Sequence, residues 1–340
     1  MKKLGLIDKI IFIFNSLLGT ALLLSYLLAY IPPKSFPLLS VLSLGVPILI
    51  LVNLGFMVYW IIRLKRQFLL SFIVLLIGYN YVSSLYQFSS NTQSSEEEVS
   101  IMSYNVRMFN TYDWTDEENI PERITDFIKE KDPDILLTQE HTVDETNLKE
   151  IYPYHFVHRK GRNSEFGSAI FSKFPIVEQY SVDFPHDGNN NAIYTDIVVK
   201  TDTLRVFNVH FQSLNVKPEI DNLRKEDSKK LLGRIGQGFG MQQEQAEMMM
   251  KKVGESSRKT IIAGDFNNTA FSYIYEFIND ERFKDAFLES GEGFGQTFKL
   301  NYFPLRIDFM LFESGIQINA FERFKNEYSD HYPVMTRFKI

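Results

Sequence analysis

The sequence predicts an α/β domain of packed sheet and helix layers standing behind three transmembrane helices. Three observations predict it: uncharged apolar stretches dominate the first ninety residues, eight short β-branched or aromatic runs follow Val99, and helically spaced segments lie among those runs. A run of about 20 apolar residues covers the ~30 Å hydrocarbon core of a bilayer, longer than a buried soluble helix needs. Strands interspersed with helices bury their apolar faces by packing as layers.

Residues 10–31, 38–62 and 68–88 are the three apolar stretches. The length of the first, and the two runs behind it, exclude a cleaved signal peptide after Met1-Lys2-Lys3. Gly45, Pro47, Asn53 and Gly55 read as helix packing and a kink rather than a transport path, because no ionisable residue lies within a span. Lys2, Lys3 and Lys9 precede the first span, and Arg63, Lys65 and Arg66 separate the second from the third, so both groups belong on the cytosolic side. The opposite loop, PPKSFP, carries only Lys34. Three spans therefore deliver the rest of the chain to the outer face of a cell (inner) membrane. Residues 1–90 form the anchor, the Ser/Glu-rich residues 91–98 a flexible tether, and residues 99–340 the catalytic domain.

In that domain VSIMSYNV, DILLTQ, GSAIFS, AIYTDIVV, LRVFNVHF, KTIIAGDF, RIDFMLF and PVMTRFKI read as strands bounded by turn residues. Residues 121–130 and 241–253 have helical spacing, and in the second Met241, Gln245, Met248, Met249 and Val253 share a face that reads as core. Residues 212–240 are the least orderly piece, a charged segment running into GQGFG; it reads as a solvated helix and loop, with a lid or membrane-contacting insertion as the alternative. GQGFG and the later GEGFG lack the context and lysine of nucleotide loops and read as flexible turns.

The whole chain has a net charge of −6, but the first ninety residues carry seven Lys or Arg against Asp8 alone, leaving a net of −12 for the remainder. That balance argues against nonspecific polyanion binding. With no cysteine, disulfides, thiolate metal sites and cysteine nucleophiles are excluded.

Several strands end in acid, amide or imidazole side chains: Asn105, Glu140, His210, Asp265 with Asn267, Asp308, and Asp330 with His331. Polar groups at strand ends converge at a sheet mouth, and this mixture suits a hard cation and a phosphate ester. Singly, each has a structural explanation as a turn, a cap or a buried histidine.

In order and wording, SYNV, QE, GSAIFSKFPI, NVHFQS, AGDFN, TF followed by RIDF, and SDHYPV resemble the endonuclease/exonuclease/phosphatase superfamily, which includes pancreatic deoxyribonuclease, the abasic-site endonucleases, neutral sphingomyelinases and inositol polyphosphate 5-phosphatases. The resemblance implies a four-layer sandwich, two mixed sheets face to face with helices outside, and a metal-phosphate site at the strand ends. It implies Asn105 and Glu140 as ligands of Mg²⁺, or of Mn²⁺, with Asp330 at the metal or its waters. Asp265 orients or deprotonates the attacking water, Asn267 donates to a nonbridging oxygen, and His331 contacts phosphate or acts as base with Asp308 fixing its tautomer; whether Asp265 or His331 takes the proton stays open. His210 sides with the deoxyribonuclease, sphingomyelinase and 5-phosphatase branches, where a histidine here protonates the leaving oxygen or binds phosphate. Glu165 reads as its orienting partner or as a surface residue. Thr297 matches a hydroxyl near the phosphate in several relatives. Arg107 and Arg306 stand near the expected mouth, to clamp an acidic substrate or pair with the carboxylates.

Three functions are compatible with this reading. The favoured one is a membrane-anchored, metal-dependent phosphodiesterase acting outside the cytosol on a lipid head group, because the short tether holds the site near the outer leaflet. An extracytoplasmic nuclease acting on nucleic acid requires a basic, aromatic-lined groove near His331. A non-catalytic binding module on a membrane anchor conflicts with every recognisable catalytic position being filled.

Overall fold

The computed structural model describes residues 4–88, 97–142, 147–160, 166–185, 189–214, 228–300 and 303–340. The chain begins with an apolar bundle: α1 (Leu6–Ser25), α2 (Pro37–Val41), α3 (Val46–Ile62), α4 (Phe68–Ile77) and α5 (Tyr79–Leu85). With the short turns that extend them, Leu6–Tyr30 and Pro37–Ile62 are long and apolar enough to cross a membrane. The third stretch, expected as one unbroken run, is instead bent by 82° between α4 and α5. Gly78 at the bend has no side chain, and a Cβ there would lie 2.1 Å from the Tyr26 ring. Tyr26 occupies that notch, donates its hydroxyl to the Val74 carbonyl at 3.1 Å and stacks on Tyr81.

Inside the bundle, Asn15 donates to Ser71 at 2.7 Å and accepts from the Trp60 indole at 2.9 Å, while Ser71 donates to Asn53. Such buried hydrogen bonds join helices where apolar burial cannot discriminate between partners. At one end Asp8 meets Arg63 and Tyr59; at the other Lys34 meets the following domain.

That domain contains twelve strands in two sheets: β1 (Val99–Asn105), β2 (Ile135–His141), β3 (Tyr154–His158), β4 (Gly167–Ser172), β5 (Ile176–Asp183), β6 (Asn191–Val199), β7 (Asp202–His210), β8 (Thr260–Asp265), β9 (Phe283–Asp285), β10 (Asp308–Glu313), β11 (Gln317–Arg323) and β12 (Val334–Lys339). One sheet has the order β11-β12-β1-β2-β4-β3 and the other β9-β10-β8-β7-β6-β5. Both are mixed: β1 with β2 and β7 with β8 run parallel, and the other neighbours antiparallel. Between the sheets, Ile101, Ile135, Leu137 and Ile170 pack on Ile193, Val206, Ile261 and Met310. Each such buried side chain is worth ~1.5–3 kcal/mol of transfer free energy.

Helices α6 (Ile120–Lys131) and α7 (Leu148–Ile151) cover the first sheet through Ile124, Ile128 and Leu148. Helices α8 (Ser228–Gly254) and α9 (Tyr273–Ile278) cover the second through Ala246, Met249, Val253, Ile274 and Ile278, and α10 (Ala286–Ser290) closes one end. The result is helix, sheet, sheet, helix: the expected four-layer sandwich. Of the expected methionine stripe, Met249, Val253 and Gln245 are buried and Met248 partly so. GQGFG, expected as a turn, is instead helical within α8. Packing against α2 and α9 outweighs glycine's helix cost of about 1 kcal/mol per residue. GEGFG contributes a two-residue strand, Gly293–Phe294, paired with Tyr86–Gln87. Residues 215–227 of the charged segment, and the tether apart from Glu97 and Glu98, lie outside the described residues.

A pair of buried amides joins the sheets. Asn208 of β7 donates to the carbonyls of Thr138 and Ala169 at 2.9 and 2.8 Å, and accepts from Gln139 at 2.7 Å. Asn208→Leu leaves these groups buried without partners and is expected to cost ~2–4 kcal/mol of stability, whereas Gln179→Leu on the exposed edge strand should change it by less than about 0.5 kcal/mol. Denaturant midpoints measure both, and equal shifts would refute a clamping role for Asn208.

Candidate active site

Strand register assembles the site. Asp265, last on β8, lies opposite His210 across the parallel pair and opposite Asp308 across the antiparallel one. Gly264 precedes it at φ +139°, and a Cβ there would lie 2.1 Å from the Val209 carbonyl, so only glycine lets β8 approach β7 at this point. On the facing sheet, Asn105 ends β1 beside Gln139. Glu140 follows in a left-handed conformation (φ 51°), where the β2–β4 register shifts between Thr138 and His141. The shift turns a carboxylate from a buried strand into the mouth.

The side chains then meet. The Asn105 amide nitrogen donates to Asp265 at 3.0 Å and Glu140 at 3.3 Å. His210 Nε2 stands 3.8 Å from both carboxylates, and its buried Nδ1 has no hydrogen-bond partner. His331 Nδ1 donates to Asp308 at 3.0 Å, while its Nε2 lies 3.7 Å from Asp265. Asn267, also left-handed (φ 49°), donates from its backbone to Asp265 at 2.8 Å and from its side chain to Asp265 and the Phe211 carbonyl.

Burial and these neighbours divide the charges. Burial lowers His331, but Asp308 and Asp265 hold it up at about 10. Burial raises Asp265 to about 7, against the His331 cation and with Asp308 adding to the rise. His210 is pushed down to about 3 by burial and then by His331. Burial, and less strongly Asp330, raises Glu140, which His331, Asn105 and Arg107 oppose. A protonated His331 thus stands beside a neutral His210.

Among the described residues, ligand atoms of Asp265, Asp308 and His331 lie within 4.8 Å of one another. The Asp308 oxygens are already committed to the imidazole, which leaves Glu140 as the carboxylate most in need of a counter-charge. Asp330 stands by it, and carboxylate oxygens are a donor chemistry that fits a hard divalent cation. The sequence implied the Asn105 oxygen as a ligand; here that oxygen accepts the Arg107 backbone N–H at 3.0 Å, and the nitrogen faces the two carboxylates that attract it.

Arg107 reaches Asp330 at 2.8 Å and stacks over Trp114, so it does lie at the rim. Arg306 does not. It is buried against Phe287 and Phe309 and paired with Asp285 at 2.6 Å, because an aromatic cage and a buried acid hold the guanidinium inside. Thr297 is wholly buried, and its hydroxyl accepts the N–H groups of Ile307 and Asp308 at 3.0 Å, so it fixes the start of β10 beside Asp308. Glu165 lies outside the described residues. Sequence reasoning missed Gln242, which donates from α8 to the carbonyls of Gln212 and Asn267 and accepts from Asn268, bracing both loops behind His210 and Asp265. No pattern marked it, since it sits in the polar run MQQEQ beside the expected core face.

Residues 102–331 match the model of the Endonuclease/Exonuclease/phosphatase family. The chain belongs to that family. Endonuclease/exonuclease/phosphatase proteins hydrolyse phosphoester bonds and generally depend on a divalent metal, and this chain is a hydrolase of phosphoric esters. Residues 8–85 match a domain of unknown function, DUF8431. No curated protein matches the chain. Among solved structures, an endonuclease/exonuclease/phosphatase from Bacteroides vulgatus is similar at 19% identity and a TM-score of 0.57, over 72% of this chain and 99% of that one. A mannosyl-6-phosphatase of Bacteroides thetaiotaomicron is similar at 18% identity and 0.54, over 71% and 100%. TDP2 of D. rerio, complexed with single-strand DNA product, is similar at 14% identity and 0.55, over 72% and 100%. At these identities the likeness is one of fold.

The histidine shifts fix a pH dependence for the metal-free protein. His210 is neutral when folded down to about 3, but an unfolded histidine takes up a proton near ~6.5. Between those values the unfolded state binds more protons, so stability falls as the pH drops. His331 acts oppositely: its contribution is complete below ~6.5 and is lost as the pH rises through about 10. In EDTA, His210→Asn should therefore flatten the acid limb by up to ~1.4 kcal/mol per pH unit, read from urea midpoints across that window. An unchanged slope would show that His210 is not held neutral.

Proposed function

We propose that this protein is a membrane-anchored, Mg²⁺-dependent phosphodiesterase that hydrolyses a lipid head group outside the cytosol. One observation carries the reading: the loops that build the site are the loops seated on the apolar bundle. Four residues beyond Asn267, Phe271 is buried among Leu22, Tyr26 and Leu28 of the bundle. Three residues before Thr297, Phe294 pairs with Tyr86 at the end of the third apolar stretch. A site so placed opens beside the bilayer rather than far above it. Outward orientation is supported by the two ends of the bundle: Arg63 and its neighbouring cations lie at one, and Lys34, bonded to Gln243 and Glu247 of α8, lies at the other.

In this reading Asp265, with its proton affinity near neutral, takes the proton of the attacking water as the oxygen bonds to phosphorus. Asn105 and Asn267 hold the Asp265 carboxylate in place. His331, kept cationic by Asp308, binds a nonbridging phosphate oxygen. His210, neutral and facing the space between Glu140 and Asp265, gives an Nε2–H hydrogen bond to the leaving ester oxygen, which takes its proton from solvent water as the P–O bond breaks. Arg107 contributes a second cation at the rim. Glu140, with Asp330 beside it, would hold the metal ion, whose chemistry when bound is to offset charge on the phosphoryl group.

The test is hydrolysis by the full chain in detergent of mixed phospholipid micelles, single-stranded DNA and duplex DNA, each with Mg²⁺ or EDTA. Lipid hydrolysis that requires Mg²⁺ and drops about 10²–10⁴-fold in Asp265→Asn and His331→Gln is the expected outcome. Cleavage of DNA alone would overturn the lipid reading in favour of a nuclease, a result the net charge of −12 after residue 90 argues against.

A further inference from the structure

A groove of about 760 Å³ lies where the bundle meets the following domain, lined in part by Leu300 and Pro304 of the hairpin Phe298–Leu300 and Phe303–Leu305. None of the catalytic cluster lines it. Its apolar lining includes Leu51, exposed on α3 little more than a turn from the domain end of that helix, with Tyr86, Phe294 and Pro304. The Tyr86 and Phe294 rings meet edge to face at 5.0 Å. Arg323 and Lys325 line it as well. Neither has an acidic partner among the described residues: Arg323 gives one N–H to the Gln296 carbonyl at 3.0 Å, and Lys325 is exposed. Burial pushes the Arg323 guanidinium below its ordinary value, the mark of a cation lacking a compensating anion.

An apolar side chain of the bundle, an aromatic pair and two cations thus line one groove, the chemistry that acyl chain, glycerol and phosphate of a lipid would meet. We propose that this groove binds an anionic phospholipid, its chain along Leu51 and its phosphate between Arg323 and Lys325, as a site separate from the catalytic one. The charge complementarity is direct, since two cations without counter-ions at a membrane surface attract anionic lipid. A surface cation near a bilayer draws in such lipid within a Debye length, and a groove with a chain-binding wall converts that general attraction into a stoichiometric site. The inference rests on the membrane reading of the first ninety residues but not on the identity of the substrate.

The experiment counts lipid bound to the full chain by native mass spectrometry, after extraction from nanodiscs of equal parts phosphatidylcholine and phosphatidylglycerol, in EDTA so that turnover plays no part. Wild type should retain one phosphatidylglycerol. Arg323→Gln with Lys325→Gln should bind it about tenfold more weakly or worse, whereas Lys65→Gln with Arg66→Gln at the other end of the bundle should retain it. Lys325→Gln alone, at an exposed position without a partner, gives a weaker loss and covers the case in which the double variant misfolds. Equal retention by wild type and the Lys325 variant would overturn the proposal. So would displacement by soluble glycerol phosphate at the affinity of the lipid, which would make the groove a phosphate site. A chain that stays in solution without detergent would overturn the membrane reading itself, independently of what it hydrolyses.

Discussion

The contact on which the site depends is the amide of Asn208 wedged between the two sheets. A β-bulge in β2 frees the Thr138 carbonyl from its ladder, and Asn208 reaches across to take it, along with that of Ala169. Two residues further along β7 stands His210, and two residues beyond Thr138 stands Glu140. Sheets that pack only through apolar side chains have no preferred sliding position at the ångström level, because hydrophobic attraction is non-directional. Directed hydrogen bonds do, and here they set His210 3.8 Å from a carboxylate of the opposite sheet. A phosphate mouth made of two sheets needs such a pin more than either sheet needs it for its own stability.

Around that pin the charges fall into two groups with different needs. Asp308, His331 and Asp265 form a chain in which a cation lies between two acids, so much of its charge is neutralised internally. Glu140 receives one long hydrogen bond from Asn105 and shares its surroundings with Asp330. Imbalance of this kind is costly in a buried setting, and active sites retain it because a ligand completes it. The two left-handed residues of the cluster, Glu140 and Asn267, belong to the same pattern: each holds an unfavourable backbone angle that the surrounding hydrogen bonds enforce.

How much of this was legible in the sequence follows strand position. All eight strands read from the sequence are present, and the four that were missed, Tyr154–His158, Ile176–Asp183, Phe283–Asp285 and Gln317–Arg323, are the outermost strands of the two sheets. An interior strand is buried on both faces and announces itself as an apolar run. An edge strand such as IVEQYSVD carries charge and amides that guard it against pairing with other chains, and the same residues hide it from inspection. The convergence of Asn105, Glu140, His210, Asp265 and Asp308 was legible because each lies at or next to a strand terminus, and His331 lies three residues before β12. Arg306 was expected at the mouth because of its proximity to Asp308, but proximity says nothing of direction: a side chain two residues before a strand can as well turn inward, and this one did. The bend at Gly78 and the helical GQGFG are set by distant partners, Tyr26 in one case and α2 in the other, that no local pattern records.

The junction between bundle and domain has a consequence for how the chain is divided. Phe271 belongs to the domain by sequence but to the bundle by packing, and Gly293–Phe294 pairs with Tyr86–Gln87 from before the linker. A fragment beginning at Val99 would expose that aromatic seat to water along with the unpaired edge, the two features that most readily drive association between copies. The boundary drawn by composition near residue 98 is therefore crossed by packing, and the two parts share an aromatic seat and a short ladder.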